Sequence, residues 1–241
     1  MLKSKSVLFS VSALMLCFAA MPARADDNSP VVVGSNFHTG YIPDGFDTND
    51  SVELVGEGLF RNSCYKPANV DVSVDTQAMK IELRPHAYYY DAICLQMLIP
   101  YHQVVNLGIL GVGRYKVIDA DRKLELGELN VRLATSSSPD DFLYAPVSQA
   151  YFKTEGDKTY VTVSGNFTNS CMRLVDMIVG VQPKVVTVQP IMEMREAEEC
   201  ADGMFPFERK VEVAGVTRGK RYLLHVRSLN GKSINNLVDV E

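Results

Sequence analysis

Gly58-Leu-Phe60-Arg-Asn62-Ser63-Cys64 recurs in this chain as Gly165-Asn-Phe167-Thr-Asn169-Ser170-Cys171. A second cysteine and a proline–aromatic pair follow each copy: Cys94 with Pro100-Tyr101, and Cys200 with Pro206-Phe207. The offset between the copies is 107 residues at the first cysteine (171 − 64) and 106 at the second (200 − 94). A repeat of this length indicates two similar structural units in tandem.

The cysteines of the repeat predict one disulfide in each copy. Of the five cysteines, Cys17 lies in an N-terminal apolar run, and the remaining four allow three pairings. The repeat selects Cys64 with Cys94 and Cys171 with Cys200, each closing a loop worth roughly 3.5 kcal/mol in the chain-entropy model. Neither copy has the close cysteine or histidine pairs of structural zinc, so we expect these cysteines to bind no metal.

The first 25 residues have the layout of a secretory signal peptide. Lys3 and Lys5 precede an apolar run from Val7 to Ala20, and Ala23-Arg-Ala25 is a small-x-small cleavage site. We expect Cys17 to be discarded with this signal and not to carry a lipid. No later segment approaches the ~18 apolar residues of a membrane helix. The sequence therefore predicts export to the periplasm, cell surface or extracellular medium, without membrane insertion after cleavage.

Charge excludes one class of partner and suggests two flexible segments. Three of the 24 Lys and Arg residues lie in the signal, so 21 remain against 29 acidic residues, a net charge of −8. A chain without a basic patch is not expected to bind nucleic acid. Residues 26–50 hold five acids and no base, which predicts an acidic, flexible N-terminal segment. Residues 135–146 have linker composition.

Alternation of apolar and polar residues indicates strands in both copies, as at Val70, Val72 and Val74. We expect strands to stop at Pro85 and Pro190, because proline donates no ladder hydrogen bond.

One further feature marks the end of each copy. In the first copy, the alternation of apolar residues changes phase at Gly127, between Leu126 and Leu129, which predicts a bulge. In the second copy, Asn230-Gly231 predicts a closing hairpin. The predicted fold is all-β: a signal peptide, then two tandem antiparallel β-sandwich domains at 51–134 and 147–241.

The late elements of each copy carry a resemblance to a known group. They are Cys94-Leu-Gln-Met-Leu-Ile-Pro100-Tyr101 with Gly113-Arg-Tyr115, and Cys200-Ala-Asp-Gly-Met-Phe-Pro206-Phe207 with Gly219-Lys-Arg-Tyr222. This pattern resembles a loosely defined group of secreted bacterial Ig-like modules, although the second copy has one more residue between glycine and tyrosine. The resemblance implies fold and export, and it implies no activity.

No motif of a nucleophile, a metalloprotease or a phosphate-binding loop is present, so we expect a protein that is not an enzyme and has no cofactor. His86, Asp91 and His102 lie near Cys94 in sequence and could converge on a metal or acid–base site; surface roles are the alternative. The acidic run Glu193–Glu199 occupies the same place in the second copy. It lacks the spacing of a calcium loop and is expected to be a solvated face.

The copies differ most just before the second cysteine, where the first copy reads Tyr88-Tyr89-Tyr90-Asp91. These four residues are the candidate binding residues, because tyrosine offers contact area at low entropic cost. The alternative is that their rings pack over the sandwich edge. The leading hypothesis is a non-enzymatic envelope or secreted protein that acts as a protein-binding or structural module, with an envelope protein as partner. The alternatives are a carbohydrate or cell-wall polysaccharide module stacking sugars on Tyr88 to Tyr90, and a hydrolase built on unrecognised residues.

Overall fold

A computed structural model describes residues 29–137, 140–196 and 199–241, which form strands and connecting turns. The predicted signal peptide at 1–25 lies outside the described residues. The strands are β1 (Val31–Gly34), β2 (Thr39–Tyr41), β3 (Phe46–Asp47), β4 (Val52–Phe60), β5 (Tyr65–Asp75), β6 (Lys80–Tyr89), β7 (Ile99–Gly108), β8 (Gly113–Asp119), β9 (Leu124–Arg132), β10 (Val147–Glu155), β11 (Lys158–Asn169), β12 (Met172–Val181), β13 (Val185–Met194), β14 (Asp202–Glu212), β15 (Arg221–Ser228) and β16 (Lys232–Asp239). The predicted all-β class is confirmed.

The two halves of the chain have the same strand order. In the first half one sheet is β2-β4-β7, and the other contains β5-β6-β8-β9 with β1 and β3 at its margins. The second half has β10-β11-β14 and β12-β13-β15-β16. Purely antiparallel sheets were expected, but β6 pairs with β8, and β13 with β15, in parallel. The intervening strand, β7 or β14, lies in the other sheet, so the chain crosses over before it returns.

Each half has its own apolar core. In the first half Leu54, Leu83 and Leu129 are among the fully buried side chains, and in the second half Val161 and Leu224 are. These positions belong to opposing sheets, as alternation along the strands predicts. Each repeat therefore stabilises its own pair of sheets, supplemented by one disulfide.

The expectation of a flexible segment at 26–50 is wrong for its described part. Residues 31–50 contribute β1, β2 and β3. Phe37 and Phe46 are fully buried, and the Phe37 amide donates to Asp119 Oδ2 at 2.8 Å. The prediction of flexibility rested on the acidic and turn residues that dominate the composition of this segment. It gave no weight to Phe37 and Phe46, which bury their rings in the core.

The predicted linker at 135–146 is also partly core. Tyr144 and Ala145 are buried, and the Ala145 amide donates to the Pro190 carbonyl at 2.8 Å. The first half has the equivalent bond, from the Ser35 amide to the Pro85 carbonyl at 2.9 Å. Each repeat therefore begins before its first long strand. Residues 138–139 lie outside the described part.

Pro85 and Pro190 lie inside β6 and β13, so the expectation that they end these strands is wrong. The parallel partners of these strands stop pairing earlier, at Leu83 and Val188. A proline just beyond that point removes no hydrogen bond from the parallel ladder.

The bulge predicted at Gly127 is confirmed, since the β8–β9 register shifts there. The hairpin predicted at Asn230-Gly231 is confirmed as well, and both residues have positive φ, 63° and 64°.

The two halves pack against each other through sheet faces that point away from their own cores. Tyr41 and Val55 from β2 and β4 meet Val185 and Leu223 from β13 and β15, all nearly inaccessible to water. Neighbouring residues on the same strands, such as Leu224, fill the core of their own half. This junction is a sheet-on-sheet interface.

Buried polar groups tie the same junction together. Arg227 Nη2 lies 2.7 Å from Asp50 Oδ2, and its guanidinium covers the Phe46 ring at 4.6 Å. His225 is completely buried, with its ring centroid 5.8 Å from that of Phe46 in the first half and its Nδ1 2.8 Å from Asn235 Oδ1. Burial lowers the pKa of His225 to about 4. These contacts hold the halves in one arrangement.

Candidate functional site

Both predicted disulfides are present. Cys64–Cys94 and Cys171–Cys200 each join Cα atoms 5.5 Å apart. In each half the bond ties the chain entering one sheet to the loop that leads into the other. Such bonds are typical of proteins that fold in an oxidising compartment.

The Asn-Ser part of the repeat fixes the loop that carries the second cysteine. Asn62 Oδ1 accepts a hydrogen bond from the Cys64 amide at 2.9 Å. The Ser63 amide donates to the Leu95 carbonyl at 3.1 Å, and the Leu95 amide donates to Ser63 Oγ at 2.9 Å. Leu95 directly follows the disulfide, so three tethers hold this short backbone segment.

The second half repeats these bonds. Asn169 Oδ1 accepts from the Cys171 amide at 3.0 Å, the Ser170 amide donates to the Ala201 carbonyl at 3.0 Å, and the Ala201 amide donates to Ser170 Oγ at 3.0 Å. The doubled Asn-Ser-Cys sequence is therefore a structural clamp in both copies.

The glycine and the aromatic residues of the repeat form a second structural unit. Phe60 stacks on Tyr101 with ring centroids 4.0 Å apart, and Phe167 stacks on Phe207 at 4.5 Å. A Cβ atom at Gly58 would lie 2.5 Å from the Tyr101 ring, and one at Gly165 would lie 2.9 Å from the Phe207 ring. Only glycine leaves room for these rings.

The loop that the first clamp holds exposes four large apolar side chains. We call residues 93–98 the apolar loop. Ile93 is fully exposed, and Leu95, Met97 and Leu98 are 68%, 54% and 64% exposed. The tethers described above act on the backbone, so these side chains are free to project from it. The result is a fixed apolar protrusion next to the end of β6.

The candidate residues Tyr88 to Asp91 lie immediately before the apolar loop. Tyr88 is 39% exposed, whereas the Tyr89 ring packs against Tyr65 with centroids 5.1 Å apart. Lys66 Nζ lies 5.2 Å from the centre of the Tyr90 ring, and Asp91 is exposed. Adjacent residues of a strand face opposite sides, so Tyr88 and Tyr89 do not share one face.

The histidines considered for chemistry are distributed over both sheets of the first half. His86 lies in β6, with Nε2 2.8 Å from Asp71 Oδ2. His102 lies in β7 of the opposite sheet, where it pairs in register with Glu57. Within the described ranges, no three or more His, Cys, Asp or Glu side chains are grouped so as to hold a metal ion.

The second clamp presents a different surface. Glu193 pairs with Arg173, and Met194 and Met204 are 50% and 78% exposed. Of the acidic run considered from sequence, residues 197–198 lie outside the described part. The same scaffold therefore displays apolar side chains in one half and mixed acidic and methionine side chains in the other.

A cleft of about 640 Å³ lies near the junction of the halves. Its walls include Ile109, Phe142 and Leu143, and its polar groups include Asp50 and Asp140. Burial raises the pKa of Asp140. Asp50 is engaged by Arg227, so this cleft is partly built from the structural ion pair of the junction.

No family model, curated protein or solved structure matches this chain. Over the residues that the structure describes, no helix is both long and apolar enough to span a membrane. The apolar loop was missed by sequence reasoning, which chose the tyrosines just before it. The sequence signal of the apolar loop is the run Leu95-Gln-Met-Leu-Ile99, in which four of five residues are apolar and do not alternate with polar ones. The equivalent residues of the second copy are Ala201-Asp-Gly-Met-Phe205.

Proposed function

We propose that this chain is an exported, non-enzymatic binding protein that contacts another protein through the apolar loop. The observation that carries this proposal is the exposure of Ile93, Leu95, Met97 and Leu98 on a backbone held by a disulfide and by Ser63. Contiguous exposed apolar patches on soluble proteins mark interaction sites.

The energetics of the loop support a binding role. Burying one large aliphatic side chain contributes about 1.5–3 kcal/mol, so four such side chains offer a gross gain of roughly 6–12 kcal/mol to a partner. The loop backbone is already fixed by its tethers, so little ordering entropy is lost when it binds. Exposed apolar side chains on a rigid support are therefore suited to anchor an interface.

The charge around the loop favours a protein over a lipid surface. Asp91 is the only charged residue between Tyr88 and Ile99. Binding to anionic membranes normally uses lysine and arginine near the surface, and here the nearby cations Arg61 and Lys66 lie over tyrosine rings. The flexible thioether of Met97 suits the apolar surface of a protein partner.

The proposal includes that the chain is exported and that its two halves are related to Ig-like modules. The N-terminal 25 residues have signal-peptide features, and two disulfides suit an oxidising destination such as the periplasm or the extracellular medium. Each half has two facing sheets and one disulfide beside the loops that join them, which supports kinship with Ig-like modules. A carbohydrate-binding role for Tyr88 to Tyr90 has less support, because their rings do not form one shared stacking face.

The test is affinity capture from envelope extracts with matched variants. The double variant Ile93→Ser, Leu95→Ser removes two loop anchors. Leu133→Ser is the control, because Leu133 is 71% exposed at the other end of the sheet. Quantitative mass spectrometry should show at least one partner depleted tenfold or more with the double variant and retained with the control. Equal recovery with both variants, or loop-dependent sedimentation of the protein with lipid vesicles, would contradict a protein-binding loop.

A further inference from the structure

The strand β12 forms one edge of the second half's larger sheet, and β5 has the same place in the first half. In the described chain β12 pairs with β13 alone. An edge strand presents unpaired amide and carbonyl groups, and proteins normally protect such edges with charges, prolines or bulges. The two equivalent edges of this molecule can therefore be compared directly.

The β5 edge is protected and the β12 edge is much less so. Val70 lies opposite Pro85, and Met177 opposite Pro190, which aligns the two strands. The outer face of β5 then carries Asp71, Ser73 and Asp75. The equivalent positions are Ile178 and Gly180 in β12 and Gln182 directly after it. Ile178 is 41% exposed on this face, and Val181, whose side chain lies on the other face, is 39% exposed.

The ladder to β13 determines which backbone groups face outward. The Gln182 amide donates to the Val185 carbonyl at 2.8 Å, which marks that pair as hydrogen-bonded. Hydrogen-bonded and non-hydrogen-bonded pairs alternate in antiparallel sheets, so Met177, Val179 and Val181 direct their backbone groups away from β13. Pro190, which has no amide hydrogen, lies opposite Met177, as this alternation requires.

Among the described residues, the outward amides of Val179 and Val181 have no acceptor. Asp176 Oδ1 accepts the Met177 amide at 2.7 Å, in a segment where the register shifts and the strand bulges. The uninterrupted part of the edge is therefore short, from Met177 to Val181. Val179 lies at its centre.

We propose that β12 pairs with β12 of a second copy of this chain, antiparallel, about a two-fold axis at Val179. This register places Ile178 opposite Gly180, a large side chain against none, and Met177 opposite Val181. Asp176 lies opposite Gln182, so no like charges face each other. The amides of Val179 and Val181 then find acceptors on the partner strand.

This pairing is an isologous contact, which closes as a dimer and joins two four-stranded sheets into one. The occupant is a second copy because the exposed segment complements itself in size, charge and hydrogen bonding. The proposal is independent of the apolar loop, which belongs to the other half of the chain. Pairing through β12 therefore leaves the apolar loop of each copy available to a partner protein.

The first test measures mass against concentration by light scattering on the full chain. The natural protein should shift from the chain mass to twice that mass as concentration rises. Val181→Pro removes an outward donor without touching the ladder to β13, and it should abolish the shift. Val74→Pro is the matched change on β5 and should leave the shift intact. A monomer at every concentration, or a dimer that Val181→Pro leaves unchanged, would overturn the proposal.

The second test is a register-specific cross-link that does not depend on the proline variant folding. Ile178→Cys and Gly180→Cys are prepared as separate chains and mixed under mild oxidation. At Gly180 an added Cβ meets nothing within 4 Å, so this position accepts a side chain. The mixture should give a covalent dimer at least tenfold more readily than either chain alone. Equal cross-linking in the mixture and in the separate chains would contradict the register.

Discussion

The most demanding prediction concerns the ion pair that joins the two halves, and the change is Asp50→Asn. Arg227 and Asp50 are 5% and 6% exposed, and the guanidinium reaches both carboxylate oxygens, at 3.2 and 2.7 Å. The asparagine keeps the shape of the side chain and can still accept the Asp47 amide. It removes the charge that compensates a buried cation.

The loss of stability expected for Asp50→Asn depends on the groups that still contact the Arg227 guanidinium. Removing one partner of a buried ion pair typically costs 3–5 kcal/mol. The Gly45 carbonyl, the Phe46 ring and the carboxylate of Asp140 continue to favour the cation, which places the loss near the lower end, at about 3 kcal/mol. For a chain of this size that lowers Tm by roughly 6–12 °C.

The assay is denaturant unfolding at neutral pH, followed by circular dichroism. The control is Asp121→Asn, because the Arg84–Asp121 pair has a similar distance of 3.0 Å but side chains 52% and 46% exposed. Such a pair is worth at most about 1 kcal/mol. Adding Arg227→Met to Asp50→Asn should restore part of the lost stability. A loss below 1 kcal/mol for Asp50→Asn, or one equal to the control, would refute the interface described above.

Three further predictions concern stability and loop order. His225 has an unfolded pKa near 6.5 and a folded pKa of about 4, so its contribution is complete above pH 6.5 and falls by up to about 3 kcal/mol as pH drops through 4. Unfolding at pH 7, 5 and 4 should show a slope that His225→Gln reduces, and identical slopes would contradict this assignment. Gly58→Ala should lower the free energy of unfolding by about 1–3 kcal/mol, because the new Cβ would overlap the Tyr101 ring. Gly180→Ala is the control and should change the free energy of unfolding by less than about 0.5 kcal/mol. Equal effects of the two substitutions would count against the packing of Tyr101 on Gly58. Ser63→Ala should speed hydrogen exchange of the Leu95 amide at least tenfold with little change in Tm, and unchanged exchange would remove the serine from the clamp.

The strands and the disulfides could be predicted because their signals are local. Alternation at Val70 to Val74 marks a half-buried strand, and the repeated cysteines select one pairing out of three. Pro85 and Pro190 misled because a proline is tolerated where the neighbouring strand has already ended. That neighbour, β8 or β15, is distant in sequence, so no local pattern reports it.

The junction between the halves was not predicted, yet one strand carries its signal. Tyr222 to Ser228 of β15 are all buried, and the sequence there shows almost no alternation. A strand covered on both faces reads as a continuous run in this way. The run indicates that something covers the second face, but only the fold shows that Tyr41 and Val55 do so.

The apolar loop was missed for a different reason. Sequence alone does not distinguish exposed from buried aliphatic side chains. An apolar run such as Leu95, Met97 and Leu98 is therefore typical of core residues. The tethers that keep them out of the core, at Ser63 and Cys64, lie some 30 residues away. Exposure here is a property of the clamp, which the sequence shows only as a repeated Asn-Ser-Cys.

Site-specific photo-cross-linking tests the binding role of the apolar loop most directly. A photoreactive residue replaces Leu95 in one chain and Glu128, an exposed residue of β9, in another, and both are irradiated in envelope preparations. The proposed function predicts a discrete protein adduct from position 95, identified by mass spectrometry, with little or none from position 128. Lipid adducts alone at position 95, or the same adducts from both positions, would contradict it.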